Sequence, residues 1–121
     1  MTALSLHGLR ILVVEDEMLV SMLLEDMLAD FGCSVVGPAP SLSEALPLAA
    51  DAQIDAAVLD VNLGGDPIFP VADALKARGV PFVFASGYGQ SGLTEAHRGA
   101  PVLQKPFRQA DLERALMGLG L

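Results

Sequence analysis

The chain has 121 residues, 52 % of them hydrophobic and 18 % charged, with a formal net charge of −8. One folded domain is expected at this length, without a separate output module, and the composition excludes a disordered or repetitive chain. Residues 1–66 hold eleven acids against Arg10 alone, whereas the remainder holds four acids against six bases, a balance that repels nucleic-acid phosphates and excludes direct DNA or RNA binding as the main role.

The amino terminus lacks both a basic n-region and a long apolar h-region, and no run approaches the roughly 20 apolar residues that span a bilayer. A tail is expected over residues 1–8, with His7 at the surface, and the folded domain over 9–121. Arg10 to Val14 is a continuous apolar, β-branched run, the pattern of a strand buried on both faces. It ends at Glu15-Asp16-Glu17. From Met18 to Phe31, Val20, Leu24, Met27, Leu28 and Phe31 recur at helical spacing, while Glu17, Ser21, Glu25 and Asp26 fall largely elsewhere on the wheel. Gly32 stops that helix.

Cys33 to Val36 reads as a short second strand, closed by Gly37-Pro38. As the one cysteine, Cys33 can form no intramolecular disulfide, is read as a small core residue, and fits a reducing, cytoplasmic location. Ser41 and Glu44 have capping-box spacing, so a helix opens near Ser41 or Ser43, kept short or kinked by Pro47. Ile54 to Asn62 is the central apolar run. It delivers Asp60 to a strand's carboxyl end and passes into the Gly64-Gly65-Asp66-Pro67 loop. Pro67 and Pro70 offer helix starts before Val71 to Arg78.

Pro81 to Ala85 is a fourth strand, ending at Ser86-Gly87-Tyr88. The glycine-rich stretch from Gly87 to Ala100 predicts at most a short or mobile fourth helix, with His97 as a surface residue. Pro101 to Leu103 is a fifth strand, followed by Lys105-Pro106-Phe107 and a closing helix over Arg108 to Leu119. Five alternating strand-helix units predict a doubly wound parallel sheet with right-handed crossovers and a reactive edge at the carboxyl ends of its strands.

That edge collects Glu15 and Asp16 from the first strand, Asp60 from the third, Ser86 from the fourth and Lys105 from the fifth. Converging carboxylates repel one another unless they take up protons or hold a divalent cation, and a hard oxygen site with few protein ligands suits magnesium. An amine and a hydroxyl opposite such a site are what an incoming phosphoryl group needs, and Asp60 is the group best placed for nucleophilic attack.

In this order and spacing, EDE after the first strand, LDVN at the third, FASG at the fourth and QKPF after the fifth resemble the receiver domain of two-component response regulators, from about Leu9 onward. PFVFASGYG further resembles the single-domain alphaproteobacterial receivers with a PFxFATGY signature, Ser86 standing in the threonine's place. The resemblance implies an α/β, flavodoxin-like and CheY-like fold with strand order 2-1-3-4-5.

It also implies that Asp60 is the phosphoacceptor and that Asp16, Asp60 and the Asn62 backbone carbonyl ligate Mg2+, with Glu15 acting directly or through water. Lys105 would pair with the phosphoryl oxygens and Ser86 would bond one of them. Asn62 and Tyr88 would tune dephosphorylation, and the Lys105-Pro106 peptide would be cis. The implied partners are a sensor histidine kinase or phosphotransfer protein and a downstream protein target, met through the fourth helix, fifth strand and fifth helix. Autonomous enzyme turnover is not expected beyond slow self-dephosphorylation.

Many receivers carry an aromatic switch on the fifth strand where this chain has Val102. Ordering of the stretch from Gly87 to Ala100, with Tyr88 as its handle, would replace it. The rivals are an aspartyl-phosphate hydrolase of haloacid dehalogenase type, whose second acid is here Asn62, and a phosphorylation-independent adaptor.

Overall fold

A computed structural model of the chain describes residues 6–87, 93, 94, 97 and 99–121. Its strands are β1 (Arg10–Val14), β2 (Ser34–Ala39), β3 (Ala56–Asp60), β4 (Asn62–Leu63), β5 (Asp66–Pro67), β6 (Phe82–Ser86) and β7 (Val102–Gln104). The helices among the described residues are α1 (Met18–Asp30), α2 (Leu42–Asp51), α3 (Phe69–Ala77) and α4 (Gln109–Met117). The main sheet is parallel, ordered β2-β1-β3-β6-β7, which is the expected 2-1-3-4-5 order once the small β4-β5 hairpin is set apart.

Alternation along the strands divides the core in two. Leu12, Val14, Ala57, Leu59 and Phe84 face α2 and α3, where they meet Ala45, Ala49, Val71 and Leu75. Ile11, Val13, Ala56, Val58, Val83 and Ala85 face α1 and α4, against Leu24, Leu28, Leu112 and Leu116. All five residues of β3 are buried, so the central strand has no freedom to slip register. Asp60 is thereby held at a fixed place on the sheet edge.

Several boundaries differ from expectation. β2 runs on through Gly37 and the cis Gly37-Pro38 peptide to Ala39. A proline fits there because β2 is an edge strand, where one face of the ladder has no neighbour to receive its missing donor. Gly37 has φ +94°, and a Cβ on it would stand 2.8 Å from the Ala39 amide nitrogen, so only glycine fits this bend.

α2 keeps its ten residues with Pro47 inside, capped by Ser41, whose hydroxyl accepts from the Glu44 amide at 3.3 Å. The loop after β3 is an antiparallel hairpin whose two turn residues, Gly64 and Gly65, both have positive φ, the requirement of a two-residue primed turn.

Part of the expected tail also packs. Leu6 is buried in the α1-α4 core, its carbonyl accepts from Cys33 Sγ at 3.2 Å, and the Gly8 amide donates to Gly32 O at 2.8 Å, while His7 stays exposed. The fourth helix expected over 87–100 falls largely outside the described residues. No helix among the described residues is long and apolar enough to cross a membrane.

Candidate functional site

The parallel register sets the site. Val14 pairs with Leu59, so Glu15 emerges from β1 level with Asp60 at the end of β3. Asp60 in turn pairs with Ala85, and Ser86 with Gln104, which places Ser86 and Lys105 at the same sheet edge. The Lys105 amide donates to Ser86 O at 2.9 Å, and the Lys105-Pro106 peptide is cis, as the resemblance implied.

Carboxylate oxygens of Glu15, Asp16 and Asp60 lie within 4.8 Å of one another. Glu15 and Asp60 are buried and Asp16 is exposed. The Lys105 amine stands 3.0 Å from Glu15 Oε2 and 3.3 Å from Asp60 Oδ1, bridging the two buried acids. The Glu17 amide donates to Glu15 Oε1 at 3.1 Å, and the Ser21 hydroxyl donates to the Glu15 carbonyl at 3.4 Å. Burial of Ser21 on α1 was not foreseen, because a lone serine on an otherwise apolar wheel carries no sign of the loop it supports.

Three carboxylates share one ammonium, and the electrostatics record the excess. Burial pushes the Glu15 carboxyl up from 4.5 to about 7, and the nearby Asp60 adds to this, against the lowering effect of the Glu17 amide and Lys105. Burial pulls the Lys105 amine down, but its hydrogen bond to Glu15 and the charge of Asp60 outweigh that and leave it raised. A cluster of three hard oxygen donors, in which the buried Glu15 carboxyl is slow to ionise and Asp16 stays exposed, fits a magnesium ion. Gly64 of the hairpin approaches it closely enough that a Cβ would stand 3.6 Å from Asp16 Oδ2.

Other expected residues are placed less completely. Ser86 is buried as the last residue of β6, directly beyond the partner of Asp60. Asn62 lies on β4, paired with Pro67. Tyr88, expected to tune dephosphorylation and serve as a switch, lies outside the described residues. Val102 sits on β7 opposite Phe84, half-buried and not aromatic.

His97 departs from its expected surface position. Its side chain is only 12 % exposed, held by stacking on Phe69 and by Asp73. A histidine in a glycine-rich stretch gives no periodicity by which this could have been read.

Residues 11–117 match the family model of the response regulator receiver domain. The phyllosphere-induced regulator PhyR of Methylorubrum extorquens is 33 % identical over 110 residues, covering 88 % of this chain and 41 % of that protein. This chain thus spans less than half the length of that relative. Among solved structures, SdrG from Sphingomonas melonis superposes with a TM-score of 0.83 at 45 % identity, over 94 % of this chain and 98 % of that one. The receiver domain of sensor histidine kinase PA1611 from Pseudomonas aeruginosa, described with a magnesium ion in its active-site cleft, superposes at 0.76 with 25 % identity, over 93 % of this chain and 97 % of that one.

Proposed function

We propose, from the premise that this chain belongs to the response regulator receiver domain family, that it is a phosphorylatable switch with Asp60 as the phosphoacceptor. The observation that carries this reading is the Lys105 amine poised between Glu15 and Asp60 beside a three-carboxylate cluster. The donor is a phosphohistidine of a sensor kinase or phosphotransfer protein, or a small acyl phosphate.

A carboxylate oxygen of Asp60 forms a bond to phosphorus as the bond from phosphorus to the donor breaks, and the donor leaves with that electron pair. Glu15, Asp16, Asp60 and the Asn62 carbonyl would hold a magnesium ion, which would supply positive charge against the phosphoryl oxygens. Lys105 leaves its carboxylate partners to pair with one phosphoryl oxygen, and the Ser86 hydroxyl donates to another. Water later cleaves the acyl phosphate, returning the carboxylate and inorganic phosphate, at a rate tuned by Asn62 and Tyr88. Turnover is slow because Asn62 stands where the haloacid dehalogenases carry a general acid.

Receiver domains signal through protein contacts, and the downstream target is met on the side of β7 and α4, in the cytoplasm. The donor arrives elsewhere. Met18 and Leu19 of α1 are 76 % and 81 % exposed, Met22 and Leu23 are also exposed, and Met18 borders the same depression as Glu15 and Asp16. An apolar strip at the mouth of the reactive cleft suits a partner that must bring its phosphoryl group to Asp60.

Incubation with acetyl phosphate and magnesium, followed by intact mass measurement, tests the proposal. The wild type gains the mass of one phosphoryl group, and Asp60→Asn does not. A gain of the same size in the variant would overturn the assignment. No gain in either would favour the phosphorylation-independent adaptor.

A further inference from the structure

Phe84, fully buried on β6 two residues before Ser86, is the hub of an aromatic cluster that the acid site does not use. It meets Phe82 edge-on at 5.2 Å, Phe69 of α3 at 5.8 Å and His97 at 6.0 Å between ring centres. The His97 ring lies nearly flat on Phe69, at 4.6 Å and 26°. Its Nε2 is 3.0 Å from Asp73 Oδ1 and its Nδ1 is 2.7 Å from Thr94 Oγ1. A neutral imidazole has one donor and one acceptor nitrogen and satisfies both neighbours at once, so the ring is fixed in plane as well as in stacking.

One ring therefore joins three parts of the fold: the strand that ends at Ser86, the chain following it, and α3. The His97 ring borders a cavity of about 440 Å³ with Val80, Phe82, Ala100 and Leu119, so open space lies beside it. Packed elements with two discrete seats are what convert a small displacement at one site into a change at another.

We propose that His97 is a positioning residue that relays the state of the Asp60 site to α3, by keeping or leaving its seat between Phe69 and Phe84 as the Ser86 end of β6 moves. This rests on the phosphoacceptor reading above and adds to it a route of response through α3. It also supplies, from outside β7, the aromatic ring that Val102 does not.

The test follows backbone amide resonances on loading the full chain with magnesium and beryllofluoride, a phosphoryl mimic, in wild type, His97→Ala and His97→Phe. In the wild type, α3 amides shift together with those around Asp60. In His97→Ala the α3 displacement falls about threefold or more while that around Asp60 persists, and His97→Phe, which keeps a flat ring, restores it. His97→Leu, with apolar volume but no ring, gives the same loss should the alanine variant fail to fold.

An α3 displacement of wild-type size in both ringless variants would overturn the relay alone, as would a silent α3 in a loaded wild type. Absence of any change around Asp60 would remove the phosphoacceptor reading and the relay with it.

Discussion

Glu15→Gln should stabilise the metal-free protein at alkaline pH and leave it nearly unchanged in acid. In the fold, Glu15 holds its proton up to about pH 7, whereas an unfolded chain releases it near 4.5. The folded state therefore binds more protons than the unfolded state between these values. The contribution of Glu15 to stability is fully present below about pH 4.5 and is lost as pH rises through about 7.

The charged form of Glu15 in the fold is disfavoured by about 3 kcal/mol, taking roughly 1.4 kcal/mol for each pH unit that its titration is displaced. Glutamine keeps the size of the neutral acid and a carbonyl oxygen to accept from the Glu17 amide, but never ionises. Lys105 keeps Asp60 at 3.3 Å as its partner, so the variant leaves no buried amine alone. The expected gain at pH 8 is at most about 3 kcal/mol, or on the order of 10 °C in Tm for a domain of this size.

Chemical denaturation with a chelator present, at pH 5 and pH 8, measures the gap directly. Adding magnesium should reverse the order at pH 8, because the ion restores the charge the cluster lacks and the variant has lost a ligand. A gap of equal size at both pH values, or a less stable variant at pH 8 without metal, would refute the reasoning.

Magnesium affinity in the wild type should rise about tenfold per pH unit below pH 7 and level off above it, since the ion must displace the Glu15 proton. A magnesium titration followed by amide shifts checks this, and a flat profile in Glu15→Gln assigns the proton. Lys105→Ala should cost about 2 kcal/mol without metal, because two buried acids lose their bridging donor, and should slow labelling by acetyl phosphate about tenfold or more. Denaturation and intact mass kinetics read the two effects separately. The pair Leu19→Glu and Met22→Glu should slow phosphoryl transfer from a protein donor about tenfold or more, yet leave acetyl phosphate labelling unchanged. Equal loss with both donors would place the strip's effect on the chemistry instead of on docking.

The site was readable from the chain because parallel strands put all their carboxyl ends on one edge. Once RILVV, IDAAVLD, PFVFA and the short run before Lys105 are assigned as strands, Glu15, Asp16, Asp60, Ser86 and Lys105 have nowhere else to converge. Local chemistry carried equal weight at Ser41, whose cap on Glu44 follows from residue types three apart.

Other features left no such trace. The extension of β2 through Gly37-Pro38 runs against the usual meaning of that dipeptide, and fits because β2 is an edge strand among the described residues. Leu6 looks like tail until α1 and β2 provide a surface for it, and Ser21 looks like solvent until Glu15 turns back over it.

The order of apolar runs and the residues that end them determined the layered fold, the sheet edge where the acids gather and the identity of its acids, amine and hydroxyl, since each depends on a period or a position within one strand. Tertiary structure alone decided that Lys105 bridges Glu15 and Asp60, that Glu15 holds its proton to about pH 7, and that His97 lies flat on Phe69. Those depend on distances between segments far apart in the chain and on how much water packing leaves between them. No local pattern of residues encodes either.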